Sequence, residues 1–355
     1  MNNFIYIEIF NKYKNDIISG KYKTNEKLPS YREIANKYNI SRMTANKVIH
    51  ELVVSGLAYN LRGVGTFVSA GTDKPVILLV SEISSITTKI SNWHSEFIDK
   101  SFKDLTHLGY IPKLCIGQGD NVDEFILSTH LDDENYIKSI SGVILDTIFP
   151  YLEIKLREKK IPVVSFSTAI PVGNNCVVLN YSKMGELAVD TLKNKNIDKY
   201  DIIFYNYANK YLYSERKEFL DKLDNIICNM SPNKLVPVNT YDFKFLLEDI
   251  TNTFKNWWHS NDRSDTLFFF EDSILTICLD IINEMGIKIG KDLKILTHAN
   301  SKMTFNTNVN LYKIGFDVDE CADLVVESLD NIIKNKEQDN IIYLDPFIKK
   351  GDSLG

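Results

Sequence analysis

The stretch "SRMTANKVIHELVVSGLAYNLRGVGTFVS", Ser41 to Ser69, holds one amphipathic helical run followed by two short β-prone pieces around a glycine-rich knot. In the run, Ala45, Val48, Ile49, Leu52 and Val53 recur at helical spacing, and Ser41 stands where an N-cap is needed. Arg42, Met43, Asn46, Lys47 and His50 are left for the opposite face. Beyond Gly56, "LAYNL" and "TFVS" flank "RGVG", whose glycines permit the tight tip of a hairpin.

Working upstream, "LPSYREIANKYNI" places Glu33 three residues after Ser30, a capping box that opens a helix burying Ile34, Ala35 and Tyr38. Only about three residues separate it from the helix after Ser41, which forces a helix-turn-helix. Before both, "FIYIEIFNKYKNDIISG" predicts a helix in which Ile7, Phe10, Tyr13, Ile17 and Ile18 recur at helical spacing and which stops at Gly20. Three helices and a hairpin make a winged helix. Residues 1 to 72 carry ten Lys and Arg against five acids, a net +5, whereas the whole chain of 355 residues has −6. A basic head on an acidic body is suited to a polyanion, and the N-terminus of the second helix of such a motif offers N–H groups and Arg42 to phosphates and base edges.

The unit resembles the GntR-type winged helix on "KLPSYREIANKY", "ISRMTANKVIHELVVSGL" and "RGVGTFV". The resemblance implies that Ser30, Arg32, Ser41, Arg42, Thr44, Lys47, Arg62, Gly63 and Gly65 face DNA. Asn25 departs from the pattern, standing where the family has Gly, and Tyr31 occupies a slot usually small or polar.

From residue 76 a second rhythm begins. Continuous apolar runs, "PVILLVS", "YIPKLCI", "GVILD", "IPVVSF", "CVVLN", "DIIFYNY", "KLVPV", "TLFFFED", "LKILTH" and "IIYLDP", alternate with helical stretches. Strands buried on both faces with helices between them predict parallel βαβ units, and ten strands are more economical as two α/β lobes than as one sheet. The expected organisation is a winged-helix domain over 1–70, a linker over 71–75 and a two-lobed domain over 76–355. Ligands of such sheets sit beyond the carboxyl ends of the strands. Those ends are polar here: Asp146, Ser165 and Ser167, Glu271 and Asp272, His298 and Asn300, with Trp93 and His94 in "SNWHSEF" before the first long helix. Carboxylates, amides and an aromatic plate suit a polyhydroxylated ligand. Trp257 and Trp258 are assigned to packing.

This body resembles the LacI-type sugar-sensing domain related to periplasmic sugar-binding proteins, on "NWHSEFIDKSFKDLTHLGY", "SGVILD", "IPVVSF", "CVVLNYSKMGELAVDTL", "FFFEDSILTICLDIINEMGIKIGKDLKILTHAN" and "YLDPFIKKGDSL". Asn180 replaces a frequent Asp. The resemblance implies a periplasmic-binding-protein-like fold with chain crossings near 180, 313 and 343. It also implies an effector set of Trp93, His94, Asp146, Ser167, Arg216, Asp272 and Asn300, with Glu215 as the alternative to Arg216.

Together these readings predict a cytoplasmic transcription regulator, a repressor, that binds double-stranded operator DNA as a homodimer and responds to a monosaccharide such as arabinose or fucose. The alternative effector is a nucleoside, a purine or a sugar phosphate. No enzyme is expected: the chain holds no Gly-rich phosphate loop, HExxH or GxSxG, and no Schiff-base lysine context like that of aminotransferase-fused relatives of the head. No cofactor is expected either. Six scattered histidines and five dispersed cysteines offer no metal site and no disulfide framework, and no apolar run is long enough for a membrane span.

Overall fold

A computed structural model of the chain describes residues 2–61, 64–69, 75–82, 91–117, 122–137, 139–146, 150–168, 171, 173–206, 217–239, 246–334 and 340–355. The chain divides into two units, Met1–Pro75 and Val76–Gly355.

The first unit contains α1 (Asn2–Ile18), α2 (Tyr31–Tyr38), α3 (Arg42–Val54) and the hairpin β1 (Ala58–Leu61) and β2 (Gly65–Val68). Both expected caps form. Ser30 Oγ accepts from the Glu33 N–H at 3.3 Å while Glu33 takes the Ser30 N–H at 2.7 Å, and Ser41 Oγ accepts from the Thr44 N–H at 3.0 Å. Asn39 ends α2 in the left-handed conformation, φ 50°, and turns the chain into α3. The first helix buries a narrower stripe than its composition predicts. Ile9, Tyr13 and Ile17 are buried at i, i+4, i+8, Phe10 is half-buried, and Ile7 and Ile18 are exposed. A single helix face cannot bury every apolar residue of so rich a sequence, and the stripe that meets α3 wins.

The hairpin has a third member. Residues 25–28 run beside β2, with the Asn25 N–H on Val68 O at 3.0 Å and the Leu28 N–H on Thr66 O at 2.9 Å. Asn25 enters this pairing at φ 64° and accepts the Tyr59 hydroxyl on Oδ1 at 3.0 Å. That conformation explains why glycine or asparagine is wanted there.

The second unit is built on two six-stranded sheets. Its elements, in order, are β3 (Val76–Glu82), α4 (Trp93–His107), β4 (Ile111–Gly117), α5 (Val122–Thr129), α6 (Glu134–Ile137), β5 (Gly142–Asp146), α7 (Pro150–Glu158), β6 (Val163–Thr168), β7 (Cys176–Leu179), α8 (Tyr181–Asn194), β8 (Asp201–Tyr205), α9 (Lys217–Asn229), β9 (Lys234–Val238), α10 (Leu246–Trp258), β10 (Thr266–Phe269), α11 (Asp272–Glu284), β11 (Lys294–His298), β12 (Tyr312–Gly315), α12 (Val318–Ile333), β13 (Ile341–Leu344) and β14 (Phe347–Lys349). The first sheet has the order β13-β7-β6-β5-β3-β4 and the second β14-β12-β11-β10-β8-β9. Every pairing is parallel except β12 with β14.

The chain passes from the first sheet to the second after Leu179, returns after Gly315 through α12, which packs on β5, β6, β7 and α4, and leaves again after Leu344. Two of these passages are tied side by side. The Asn180 N–H donates to Leu344 O at 2.9 Å and its amide donates to Asp345 Oδ1 at 3.0 Å, while Lys183 pairs with the same carboxylate. An Asp at 180 would set two carboxylates against each other.

Deep in the second lobe, Asp201 is fully buried and accepts Trp257 Nε1 at 2.8 Å, the Ser264 N–H and hydroxyl at 2.8 Å each, and the Asn233 amide at 3.3 Å. The buried carboxylate and the indole are structural. All five cysteines are free; Cys176, Cys278 and Cys321 are buried and Cys228 is exposed. Among the described residues no helix is long and apolar enough to cross a membrane, and no group of His, Cys, Asp and Glu could hold a metal ion.

Candidate functional site

Two surfaces carry the chemistry. On the first unit, the outward face of α3 presents Arg42, Met43, Asn46, Lys47 and His50, all exposed, while Ala45, Val48, Ile49 and Leu52 on the inward face are buried. Arg32 is exposed on α2, its guanidinium 5.7 Å from the Tyr31 ring and its Nε donating to the Tyr31 hydroxyl at 3.3 Å. Lys47 Nζ lies 3.9 Å from the centre of the Tyr6 ring, a cation–π contact that holds the ammonium at the helix surface. Ser30 and Ser41 spend an acceptor lone pair on their helix caps, and the Ser41 and Thr44 hydroxyls are hydrogen-bonded at 2.7 Å. These side chains orient α2 and α3, whose exposed N-terminal ends have the partial positive charge that attracts phosphate.

On the wing, Gly65 has φ 143°, and a Cβ there would stand 2.6 Å from Lys27 Cε. Glycine is favoured at that point by its backbone conformation, while the end of the Lys27 side chain is flexible enough to move aside. Arg62 and Gly63 lie outside the described residues.

The second surface lies where the two lobes of the second unit meet, at the carboxyl ends of their strands. From the first lobe come Ser91, Asn92, Trp93 and His94 at the start of α4, with Phe166 and the buried Ser167 on β6. The rings of Trp93, His94 and Phe97 stand 6.2, 6.4 and 4.5 Å from that of Phe166 and form one aromatic wall. From the second lobe come Asp272, in the first turn of α11, and Asn300, just past β11, both almost fully buried.

The halves are joined directly. Ser91 donates its hydroxyl to Asp272 Oδ2 at 3.1 Å, and the Asn300 amide donates to Asn92 Oδ1 at 2.8 Å while its own oxygen accepts the Lys302 N–H at 3.0 Å. Lys302 adds ion pairs to Glu96 at 3.0 Å and to Asp319 at 2.6 Å. Burial pushes the Asp272 carboxyl up to about 6, against the opposing pull of the Ser91 hydroxyl, the Ser273 N–H and nearby His94.

Under this layer sits a second aromatic group. The Tyr181 ring is 5.1 Å from Phe316, 5.8 Å from Phe270 and 5.6 Å from His298, and its hydroxyl lies 3.5 Å from His298 Nε2. His298 Nδ1 is shut from water with no partner among the described residues, and burial lowers the ring to about 4, so it is neutral at physiological pH. Tyr205, whose hydroxyl is 2.9 Å from Ser273 Oγ, is raised chiefly by burial.

Of the residues expected at the effector site, Trp93, His94, Ser167, Asp272 and Asn300 occupy this region. Asp146 closes β5 opposite Ser81, but its side chain lies outside the described residues, as do Arg216 and Glu215 altogether. Ser91, Asn92, Phe166 and Tyr181 were not singled out from the sequence. Asn92 occupies the N-cap position of α4 yet makes no side-chain cap bond, because its oxygen is taken by Asn300.

Comparison with known proteins fits this two-part construction. Residues 5–68 match the model of the bacterial regulatory proteins of the gntR family. The arabinose metabolism transcriptional repressor of Geobacillus stearothermophilus is 23% identical over 95% of this chain and 93% of its own length. The HTH-type transcriptional repressor NagR of Bacillus subtilis is 45% identical over 65 residues, 18% of this chain and 27% of that protein. Among solved structures, the Lac repressor bound to ONPG superposes with a TM-score of 0.61 at 12% identity, covering 88% of this chain and 90% of that one. A LacI family transcriptional regulator from Bifidobacterium animalis gives a TM-score of 0.60 at 12% identity, over 78% of this chain and 97% of that one. The chain thus carries a GntR-family winged-helix head within its first 68 residues, on a body with the fold of the LacI-type regulators.

Proposed function

We propose that this protein is a transcription regulator, a repressor, which binds a palindromic operator as a homodimer and is controlled by a monosaccharide held between the lobes of its body. The observation that carries the reading is the joint built from Ser91, Asn92, Trp93 and His94 on one side and Asp272 and Asn300 on the other. Polar groups that bond each other across the lobes have the donors and acceptors a sugar needs, and the Trp93–Phe166 wall supplies a face for its C–H side. The end-to-end similarity to an arabinose metabolism repressor supports a sugar, and arabinose or fucose are the first candidates. The GntR-family head supports action on DNA by binding rather than by catalysis, in the compartment that holds the chromosome.

On this reading Arg32, Arg42 and Lys47 contact the operator, with Ser30, Ser41 and Thr44 fixing the helices, and Arg62, Gly63 and Gly65 bringing the wing to the duplex. Asp146 and Arg216 complete the effector set. Sugar changes the angle between lobes about the passages at 180, 316 and 345, and the dimer's half-site spacing follows; a coupling of about 1–3 kcal/mol is typical of such linkage.

A thermal-shift screen of monosaccharides tests the reading. One sugar is expected to stabilise the protein, by about 2.7 kcal/mol at 100 times its dissociation constant, and to change its affinity for operator, with both effects lost in Asp272→Ala. Absence of any sugar response in the native protein overturns it.

A further inference from the structure

A second groove lies in the other half of the same lobe, at the amino end of β12, away from the strand ends that line the lobe joint. Its cavity, about 580 Å³, is lined by Thr304, Phe305 and Thr307 from the segment after β11, by Asn310 and Lys313, and by Lys349 to Asp352 after β14. Lys313 and Lys349 are direct cross-strand partners in the antiparallel β12–β14 pair. Like charges directly opposite one another destabilise a sheet. Both nevertheless point at one groove, and burial together with Lys349 lowers the Lys313 ammonium below its usual range.

The nearby acid does not answer them. Asp352 Oδ2 accepts the Asn310 amide at 3.2 Å, and among the described residues Lys313 Nζ donates to the neutral Met303 carbonyl and not to this carboxylate. Lys313 is steadied instead by neutral groups, donating to Met303 O at 2.7 Å and standing 5.1 Å from the Phe305 ring centre. Lys350 adds a third, exposed cation at the rim. Two ammonium groups set in register, with an apolar ring, two threonines and an asparagine amide around them, have the charge and shape to receive a doubly charged anion that carries a small polar body.

We propose that this groove binds a phosphate group, free or as the monoester of a small hydroxylated metabolite, as a second ligand site separate from the lobe joint. The phosphate bridges Lys313 and Lys349, which turns an unfavourable like-charge pair into two charge-assisted hydrogen bonds. Threonine, asparagine and Phe305 meet the rest of the molecule.

Isothermal titration of the full chain with glucose 6-phosphate, inorganic phosphate and glucose, at matched ionic strength, tests this. The phosphate-bearing probes are expected to bind saturably, with Lys349→Met and Lys313→Met each weakening binding by at least about tenfold. Lys291→Met, an exposed lysine of the same lobe outside the groove, should bind as the native protein does. Tighter binding of glucose 6-phosphate than of inorganic phosphate assigns the ester, and equal binding assigns free phosphate. The proposal is overturned if neither phosphate probe binds, or if both groove variants bind them as tightly as the native chain. Glucose controls for the sugar body of the ester; the lobe joint is read separately by the monosaccharide screen and Asp272→Ala, which leaves Lys313 and Lys349 in place, so a failure here leaves the sugar reading standing, and the reverse.

Discussion

Ser91 and Asp272, 181 positions apart in sequence, join the two lobes through one hydroxyl–carboxylate hydrogen bond of 3.1 Å. The acceptor is buried, and its carboxyl is held near 6 in place of the usual 3.8, so folding at neutral pH includes the cost of ionising it out of water. That cost is about 3 kcal/mol. On the proposed reading, hydroxyls of a bound sugar would offset that cost.

A pH dependence follows, with two opposed parts. The folded chain keeps the Asp272 proton up to about 6 and the unfolded chain loses it near 3.8, so this group makes stability fall as pH rises through that window. His298 behaves oppositely. Folded, it stays neutral down to about 4, whereas unfolded it binds a proton near 6.5, so its contribution is complete above 6.5 and is lost as pH falls towards 4. Each slope approaches about 1.4 kcal/mol per pH unit, and in the native protein they largely cancel. Asp272→Asn should leave the rising slope and gain roughly 1–3 kcal/mol at pH 7; His298→Gln should leave the falling one. Urea unfolding at several pH values between 4 and 7 decides it, and variants with the native profile would refute the assignment.

Asn300 is almost fully buried, with both ends of its amide engaged, by Asn92 and by the Lys302 backbone. Asn300→Ala leaves a carbonyl oxygen and an N–H without partners. A loss of about 1–3 kcal/mol is expected. Asn92→Ala should cost less than Asn300→Ala, since it strands only one partner, and chemical denaturation of the two single variants and the double variant should show clear non-additivity.

On the head, Arg42 and Lys47 are both exposed, but only Lys47 is pinned, by the Tyr6 ring. With a duplex of random sequence, Lys47→Ala should reduce the slope of log affinity against log salt by about one. Arg42→Ala should lower affinity for a selected operator by a further amount, about 1–3 kcal/mol, if it reads a base edge. Fluorescence anisotropy across a salt series gives both numbers. An unchanged slope in Lys47→Ala would remove that residue from the interface.

Asp201 anchors four donors in the interior of the second lobe. Asp201→Asn cannot accept them all, and its amide would face Trp257 Nε1 or the Ser264 N–H. A loss of about 3 kcal/mol in unfolding free energy is expected. The fold of the head should be unaffected, which far- and near-ultraviolet circular dichroism of the heated protein would follow.

Much of this molecule was legible in its sequence, and what escaped has physical causes. Of the ten strands recognised as continuous apolar runs, β3, β5, β6, β7, β8, β10 and β11 are buried and β4, β9 and β13 are partly exposed sheet edges, whereas β12 and β14, reading Tyr-Lys-Ile-Gly and Phe-Ile-Lys, are short and carry the lysines. Lys in a strand of three or four residues looks like a loop until a partner strand is known. Helix α1 offers more apolar residues than its buried face can use, so helical spacing alone does not separate the exposed Ile7 and Ile18 from the buried Tyr13 and Ile17. At the lobe joint, Trp93, His94, Asp272 and Asn300 stood out as aromatic or polar residues at element ends. Ser91 and Asn92 did not, because a Ser or Asn before a helix is ordinarily a cap, and their real partners lie 181 and 208 residues away. Asn25 departs from the glycine of the family pattern yet keeps its left-handed conformation, φ 64°, which asparagine tolerates better than other side chains.

The order in which strands join the two sheets also sets a schedule for the living chain. An edge strand of each sheet, β13 and β14, comes from residues 341–349, and the Ser353 hydroxyl stitches Tyr312 N–H to Ile295 O at 2.7 and 2.6 Å. The head's caps, wing and core are all made within residues 2–69. During synthesis at about 5–20 residues per second, the head therefore completes its contacts roughly 15–60 s before either lobe can close its last edge. For that interval the ribosome carries a finished winged-helix head ahead of an unfinished two-lobed body.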